Sequence, residues 1–242
     1  MHCLIKNKKE ELVYLIAFIC TVVVSMVLFV YWGNGKRVTF CDEIYTYNIV
    51  NSDGLTPYEI NKRMRGDDFK NALTHGNDDY YEKMIDNIKM DKVHPPLYYI
   101  FVYIASKLAG DTLSVWTALA VNLFAYLGTG CIVFFILKKL FHSPVLSSLG
   151  TIGVLMTQCM LSAGMLARMY MVYTFFTALF VYANVLASDK KADVARSRGA
   201  ILAEIAKYLL LCAAVVGGFL TQYYFVFFLS LIHISEPTRQ AE

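Results

Sequence analysis

The sequence predicts an all-α membrane protein that crosses the bilayer several times, and three observations carry that prediction. Apolar residues make up 57% of the chain and charged ones only 17%, with a mean hydropathy of +0.48. A soluble domain holds roughly 45–50% apolar and about 25% charged residues, so this chain has more apolar surface than one globular core can hide. The apolar residues also gather into stretches close to the ~20 residues that a bilayer crossing needs. Finally, the acids are segregated: 11 of the 19 lie between Asp42 and Asp91. A formal net charge of +3 is too small to indicate a nucleic-acid partner.

Five stretches reach or approach span length: Leu12–Tyr31, Leu113–Leu137, Val145–Ser162, Met169–Ala187 and Ile205–Leu220. A sixth apolar run, Tyr223–Leu231, follows the last of them. The first stretch reads as an uncleaved anchor, because Tyr31-Trp32 stand where a signal peptide would need small residues. Cys20, Cys131, Cys159 and Cys212 fall inside the apolar stretches, Cys3 in the basic N-terminus and Cys41 beyond the first span. This pattern gives neither a disulfide framework nor a metal-ligand spacing. The string Leu229 to Arg239, LSLIHISEPTR, resembles the in-frame translation of a transposase-type sequencing adaptor. Residues 229–242 are therefore expected to be an artefactual tail following residues 1–228 of a longer, C-terminally truncated product. His233, Glu236 and Arg239 are set aside as functional candidates.

Basic residues in short loops mark the cytoplasmic side of a membrane protein. Lys6, Lys8 and Lys9 precede the first span, Lys138-Lys139 follow the second, and Lys190, Lys191, Arg196 and Arg198 follow the fourth. All three clusters share one side only if Pro95–Ala109 does not cross, and at about 15 residues it is short for a span. It reads as an interfacial or re-entrant helix. The N-terminus is then cytoplasmic, residues 32–112 form a long outer loop, and Ala163–Arg168 is a short outer turn. Within the long loop, Ile44, Tyr45, Tyr47 and Ile49 supply apolar positions, and Asp53-Gly54 and Thr56-Pro57 read as turns.

Four features on that outer side can carry chemistry. Asp42-Glu43 can serve as a general base or hold a cation; a hydrated loop pair is the plain alternative. His94-Pro95-Pro96-Leu97-Tyr98-Tyr99 places a histidine before a proline-initiated helix, facing an anion or simply starting a rigid, aromatic-anchored helix. Arg168, with Tyr170, breaks the inside bias of positive charge and is suited to bidentate phosphate binding; a side chain snorkelling to headgroups is the alternative. Gln222-Tyr223-Tyr224 is the loosest, because interfacial tyrosines are common. The spans themselves hold almost no ionisable groups, whereas a transporter more often carries charges near the midplane.

An acidic pair soon after the first span, then HPPLYY, then Arg168-Met169-Tyr170 resembles the GT-C class of polyprenyl-phosphate-sugar-dependent glycosyltransferases. The nearest branch is family 39, with the protein O-mannosyltransferases and the aminoarabinose transferase of lipid A. The resemblance covers nearly all of residues 1–228; Gln222 departs from it, since histidine is common at that position. It implies a GT-C-like transmembrane helical bundle whose extracytoplasmic first loop carries juxtamembrane helices, in the inner or plasma membrane. It implies inverting transfer of a sugar from a polyprenyl-phosphate donor to a hydroxyl on a protein, lipid or wall polymer. Asp42 would be the general base, Glu43 its orienting or assisting neighbour, and Arg168, His94 and Tyr170 would hold the donor phosphate. Tyr98, Tyr99, Gln222 and Tyr223 would line the substrate. No cofactor is certain; a divalent cation is compatible with the acid pair, but no ligand set is complete. A polytopic transporter or flippase and a non-catalytic membrane assembly subunit remain the competing classes.

Overall fold

The structure is a computed structural model that describes residues 2–55, 63–74, 81–110, 113–187 and 198–235, with the backbone alone for 2–7, 198, 200 and 231–235. Among the described residues there are eleven helices and no strand. In chain order they are α1 (His2–Gly35), α2 (Cys41–Asn51), α3 (Gly66–Ala72), α4 (Tyr81–Asp91), α5 (Leu97–Leu108) and α6 (Val115–Phe141). Then follow α7 (Pro144–Leu155), α8 (Gln158–Met165), α9 (Tyr170–Ala187), α10 (Arg198–Thr221) and α11 (Phe225–Ser235).

Four helical segments are long and apolar enough to cross a membrane: Lys8–Gly35, Val115–Phe141, Tyr170–Ala187 and Ile201–Thr221. They match the expected first, second, fourth and fifth spans. The expected third span is not one straight helix. It is the pair α7 and α8, bent by 59° at Met156-Thr157. There Thr157 is extended (φ −61, ψ 147) and its hydroxyl accepts the N–H of Met160, starting a new helix. As a result α8 runs on to Met165, and the turn expected at Ala163–Arg168 is Leu166–Met169. The segment expected not to cross is α5, whose 12 residues reach about 18 Å at 1.5 Å per residue, well short of a ~30 Å hydrocarbon core.

The bundle packs α9 against α6 and α10, α6 against α7, and α1 across α6 and α7. Close approach depends on missing side chains at a few positions. A Cβ on Gly164 would sit 2.9 Å from the Phe29 ring, and one on Gly217 only 2.2 Å from Phe176. Many of the remaining large apolar side chains of α1 and α10 are exposed, among them Ile16, Ile19, Val23, Leu202 and Leu209. That is the surface a lipid solvent accepts.

The loop helices are knitted to one end of this bundle by buried amides and hydroxyls. Asn87 donates to the carbonyls of Ile49 (3.1 Å) and Ser52 (2.8 Å), tying α4 to the C-terminus of α2. Asn51 and Ser52 reach the carbonyls of Leu73 and Ala72 after α3. Tyr47 donates to the Ser114 carbonyl at 3.1 Å, pinning α2 to the start of α6. Gly54, at φ 92, makes the expected turn. The expected turn at Thr56-Pro57 and the basic residues Lys190, Lys191 and Arg196 lie outside the described residues.

Candidate functional site

Three short segments meet at that end: the start of α2, the turn from α4 to α5, and the turn from α8 to α9. Asp42 and Glu43 occupy the first turn of α2, where carboxylates are favoured by the positive end of the helix. Their environments are opposite. Glu43 is fully buried, its side chain 0% exposed. It accepts from Lys36 Nζ at 3.0 Å, from the Phe40 N–H at 2.8 Å and from the Ala167 N–H at 2.7 Å. Lys36 itself is only 9% exposed. Asp42 is exposed, and among the described residues its carboxylate meets only the weak Cys41 thiol, at 3.8 Å. The pair therefore does not offer two carboxylates to one cation. Among the described residues no group of three His, Cys, Asp or Glu side chains stands together.

Arg168 is 5% exposed. Its turn is held on both sides: Asn122 of α6 donates to the carbonyls of Gly164 (3.0 Å) and Leu166 (2.5 Å), and the Arg168 N–H closes onto Leu166 O at 2.7 Å. The guanidinium spends Nη2 on His94 Nε2 at 2.9 Å and Nη1 on the Asp42 carbonyl at 3.3 Å. Its Nε is buried, without a partner among the described residues. Among the described residues no carboxylate pairs with it; Glu43 is bonded to Lys36 and Asp91 to His94. A buried cation without a counter-charge is costly, and such a group is poised to receive an anion.

His94 sits in the turn before α5, its Nδ1 2.9 Å from Asp91 Oδ2. Asp91 also accepts the His94 backbone N–H at 2.9 Å and the Tyr45 hydroxyl at 2.5 Å. Burial would raise the Asp91 carboxyl, but the hydrogen bonds from Tyr45 and His94 outweigh it and hold it below its ordinary value. Burial, with the adjacent Asp91 carboxylate, pushes the Tyr45 hydroxyl up to about 12. Tyr98 and Tyr99 are fully buried, and among the described residues the Tyr98 hydroxyl has no hydrogen-bond partner. Burial raises both hydroxyls, and the positive charge of Arg168 opposes the rise.

Asp42, Glu43, His94 and Arg168 are thus brought together. Tyr98 and Tyr99, in the first turn of α5, are both 0% exposed. Tyr170 is 40% exposed and opens α9, with its side chain outside the bonded cluster. Gln222 and Tyr223 occupy the turn between α10 and α11. Tyr223 packs its ring against Phe219 at a tilt of 59°, with centroids 5.3 Å apart, and no bond joins either Gln222 or Tyr223 to Arg168. Sequence reasoning missed Asp91, Tyr45, Lys36 and Asn122. Two of these carried a signal: Asp91 lies three residues before His94, and Asn122 is a lone amide inside an apolar span.

An apolar groove of about 720 Å³ runs between α5, α6 and α9, lined by Phe101, Ile104, Trp116, Phe124, Val172 and Phe175 among others. Phe101 is one turn beyond Tyr98, and Val172 four residues beyond Arg168. Together these features define an all-helical membrane protein with a buried arginine and an exposed carboxylate at one end of its bundle. Compared with protein-family profiles, with curated proteins and with solved structures, the chain matches none.

Proposed function

We propose that this is a membrane glycosyltransferase, moving a sugar from a polyprenyl-phosphate carrier to an acceptor hydroxyl with inversion at the anomeric carbon. The observation that carries this reading is Arg168: buried, without a carboxylate, and bonded through its Nη1 to the main chain of the exposed Asp42. An anion holder and a free base at neighbouring positions are the two groups such a transfer requires. In the step, the acceptor oxygen bonds to the anomeric carbon as Asp42 removes its proton. The bond from that carbon to the phosphate oxygen breaks, and the electron pair leaves with the phosphate. Negative charge grows on the phosphate as this happens, and fixed donors aimed at developing charge lower the barrier. Arg168 supplies those donors, its guanidinium bonded to His94 Nε2. The groove against α5, α6 and α9 suits the carrier's isoprenoid chain, and a sugar transferase with such a donor needs a membrane fold. The distribution of Lys and Arg between the loops favours an extracytoplasmic site in the inner or plasma membrane.

The test uses membranes containing the full-length protein and radiolabelled polyprenyl-phosphate sugars. Wild type is expected to release sugar from the carrier. Asp42→Asn is expected to abolish release while inserting normally, and Arg168→Ala to reduce it about 10²–10³-fold. Equal release by wild type and Asp42→Asn would sink the assignment of the base. No release from any donor by correctly inserted wild type would move the reading to a transporter or an assembly subunit.

A further inference from the structure

A histidine ring can donate or accept at either nitrogen, and its partners decide which. Arg168 Nη2 has only hydrogens to offer, so His94 Nε2, 2.9 Å away, must accept. The ring proton then belongs on Nδ1, where Asp91 Oδ2 accepts it at 2.9 Å. The same oxygen takes the His94 backbone N–H, and the other carboxylate oxygen is held by the Tyr45 hydroxyl at 2.5 Å. Asp91 is thus fixed by three donors, with its side chain only 4% exposed. A carboxylate so constrained sets both the orientation of the imidazole and the position of its proton.

We propose that Asp91, steadied by Tyr45, is the positioning residue of this site: it locks His94 in the Nδ1–H tautomer, so that Nε2 aims the Arg168 guanidinium at the donor phosphate. Without Asp91, the neutral ring is free to carry its proton on Nε2. Two donors would then face each other across the His94–Arg168 contact, and the guanidinium would turn away. The role at a phosphate rests on the glycosyltransferase reading; the tautomer does not.

The experiment joins a spectroscopic readout to a rate. Full-length protein carrying ¹⁵N-histidine is placed in lipid bilayers, the His94 signals are identified by their loss in His94→Asn, and sugar release is measured on the same samples. Wild-type His94 is expected to be protonated on Nδ1 and bare on Nε2. Asp91→Leu is expected to move the proton to Nε2 and to slow release about 10–100-fold. Asp91→Asn, which keeps an acceptor for Nδ1–H, is expected to restore the tautomer and most of the rate. An Nε2–H tautomer in wild type overturns the proposal whatever the variants do. So does an Asp91→Leu protein with the wild-type tautomer, or with the wild-type rate. If Asp91→Leu shifts the tautomer while wild type releases no sugar from any donor, the tautomer lock stands and the phosphate reading falls.

Discussion

Glu43 is expected to be the most consequential single carboxylate for the stability of this end of the bundle. Truncation in Glu43→Ala leaves Lys36 charged and 9% exposed, with the N–H groups of Phe40 and Ala167 unbonded. Removing one partner of a buried ion pair costs about 3–5 kcal/mol, and leaving a buried donor unsatisfied costs roughly 1–3 kcal/mol. These terms overlap, so the expected loss is about 4–6 kcal/mol, a large part of the 5–15 kcal/mol that typically separates folded from unfolded protein. Lys36→Met leaves Glu43 its two main-chain donors and should cost less, about 2–3 kcal/mol. The double variant Lys36→Met/Glu43→Ala buries neither charge and should fall short of the summed single losses by about 2 kcal/mol. The assay is reversible unfolding in mixed micelles titrated with a denaturing detergent, run on all four proteins. A Glu43→Ala protein within about 1 kcal/mol of wild type, or strict additivity in the double variant, would refute the reasoning.

Four further outcomes are expected. Gly217→Ala would bring a Cβ to 2.2 Å from the Phe176 ring and should cost about 1–3 kcal/mol by overpacking. Phe176→Leu in that background should recover part of the loss in the same unfolding assay. Asp91 titrates below its ordinary value when folded, despite burial, because Tyr45 and His94 donate to it. Its contribution to stability is therefore present above about pH 4 and lost as pH falls further, and Asp91→Asn should flatten that acid limb. Tyr45 has the opposite sign: burial, then the Asp91 contact, raise it from 10.0 to about 12, so its contribution holds below about pH 10 and is lost as pH rises toward 12. Tyr45→Phe should make the alkaline limb shallower, leaving the share of Tyr98 and Tyr99, whose hydroxyls burial also raises. In a variant whose only cysteine is the exposed Cys41, a membrane-impermeant maleimide should label intact cells. Labelling only after lysis would reverse the proposed orientation.

What the sequence made legible was set by the period and length of its apolar runs. α1, α6, α9 and α10 follow from runs long enough to cross, and α5 from a run too short to do so. The break between α7 and α8 was hidden because the run has neither a proline nor a charge at the bend; a single extended threonine makes it. The acid pair was legible as a site but its two members were not distinguishable. On a helix, Asp42 shares a face with Tyr45 and Ile49, and Glu43 with Tyr47 and Val50, so periodicity gives both an apolar neighbourhood. Only tertiary contact with Lys36 and with Ala167, 124 residues further on, buries Glu43 alone. Asp91 was concealed among the many acids of the loop, where a buried carboxylate and a hydrated one read the same.

The unequal fates of Asp42 and Glu43 have a physical rationale on the proposed reading. A group that stabilises developing charge must not reorganise during the step, so its surroundings have to be over-determined. Arg168 meets that condition: Asn122 holds the turn before it, Glu43 holds the N–H of Ala167, and His94 takes one of its own donors. A base, by contrast, must reach an acceptor hydroxyl whose approach varies, so it is better placed on a fixed helix with its carboxylate free. Glu43 supplies the fixity, being the third residue of α2 and the acceptor of the Phe40 N–H at the helix start. Adjacent carboxylates can therefore divide the work, one spending its charge on Lys36 and two main-chain N–H groups so that the other keeps its own for the reaction. If that division is right, Glu43→Gln should loosen Arg168 and weaken donor binding, whereas Asp42→Asn should leave donor binding intact and remove only the transfer. A donor-binding titration beside the release assay separates the two, and equal losses of binding in both variants would argue against it.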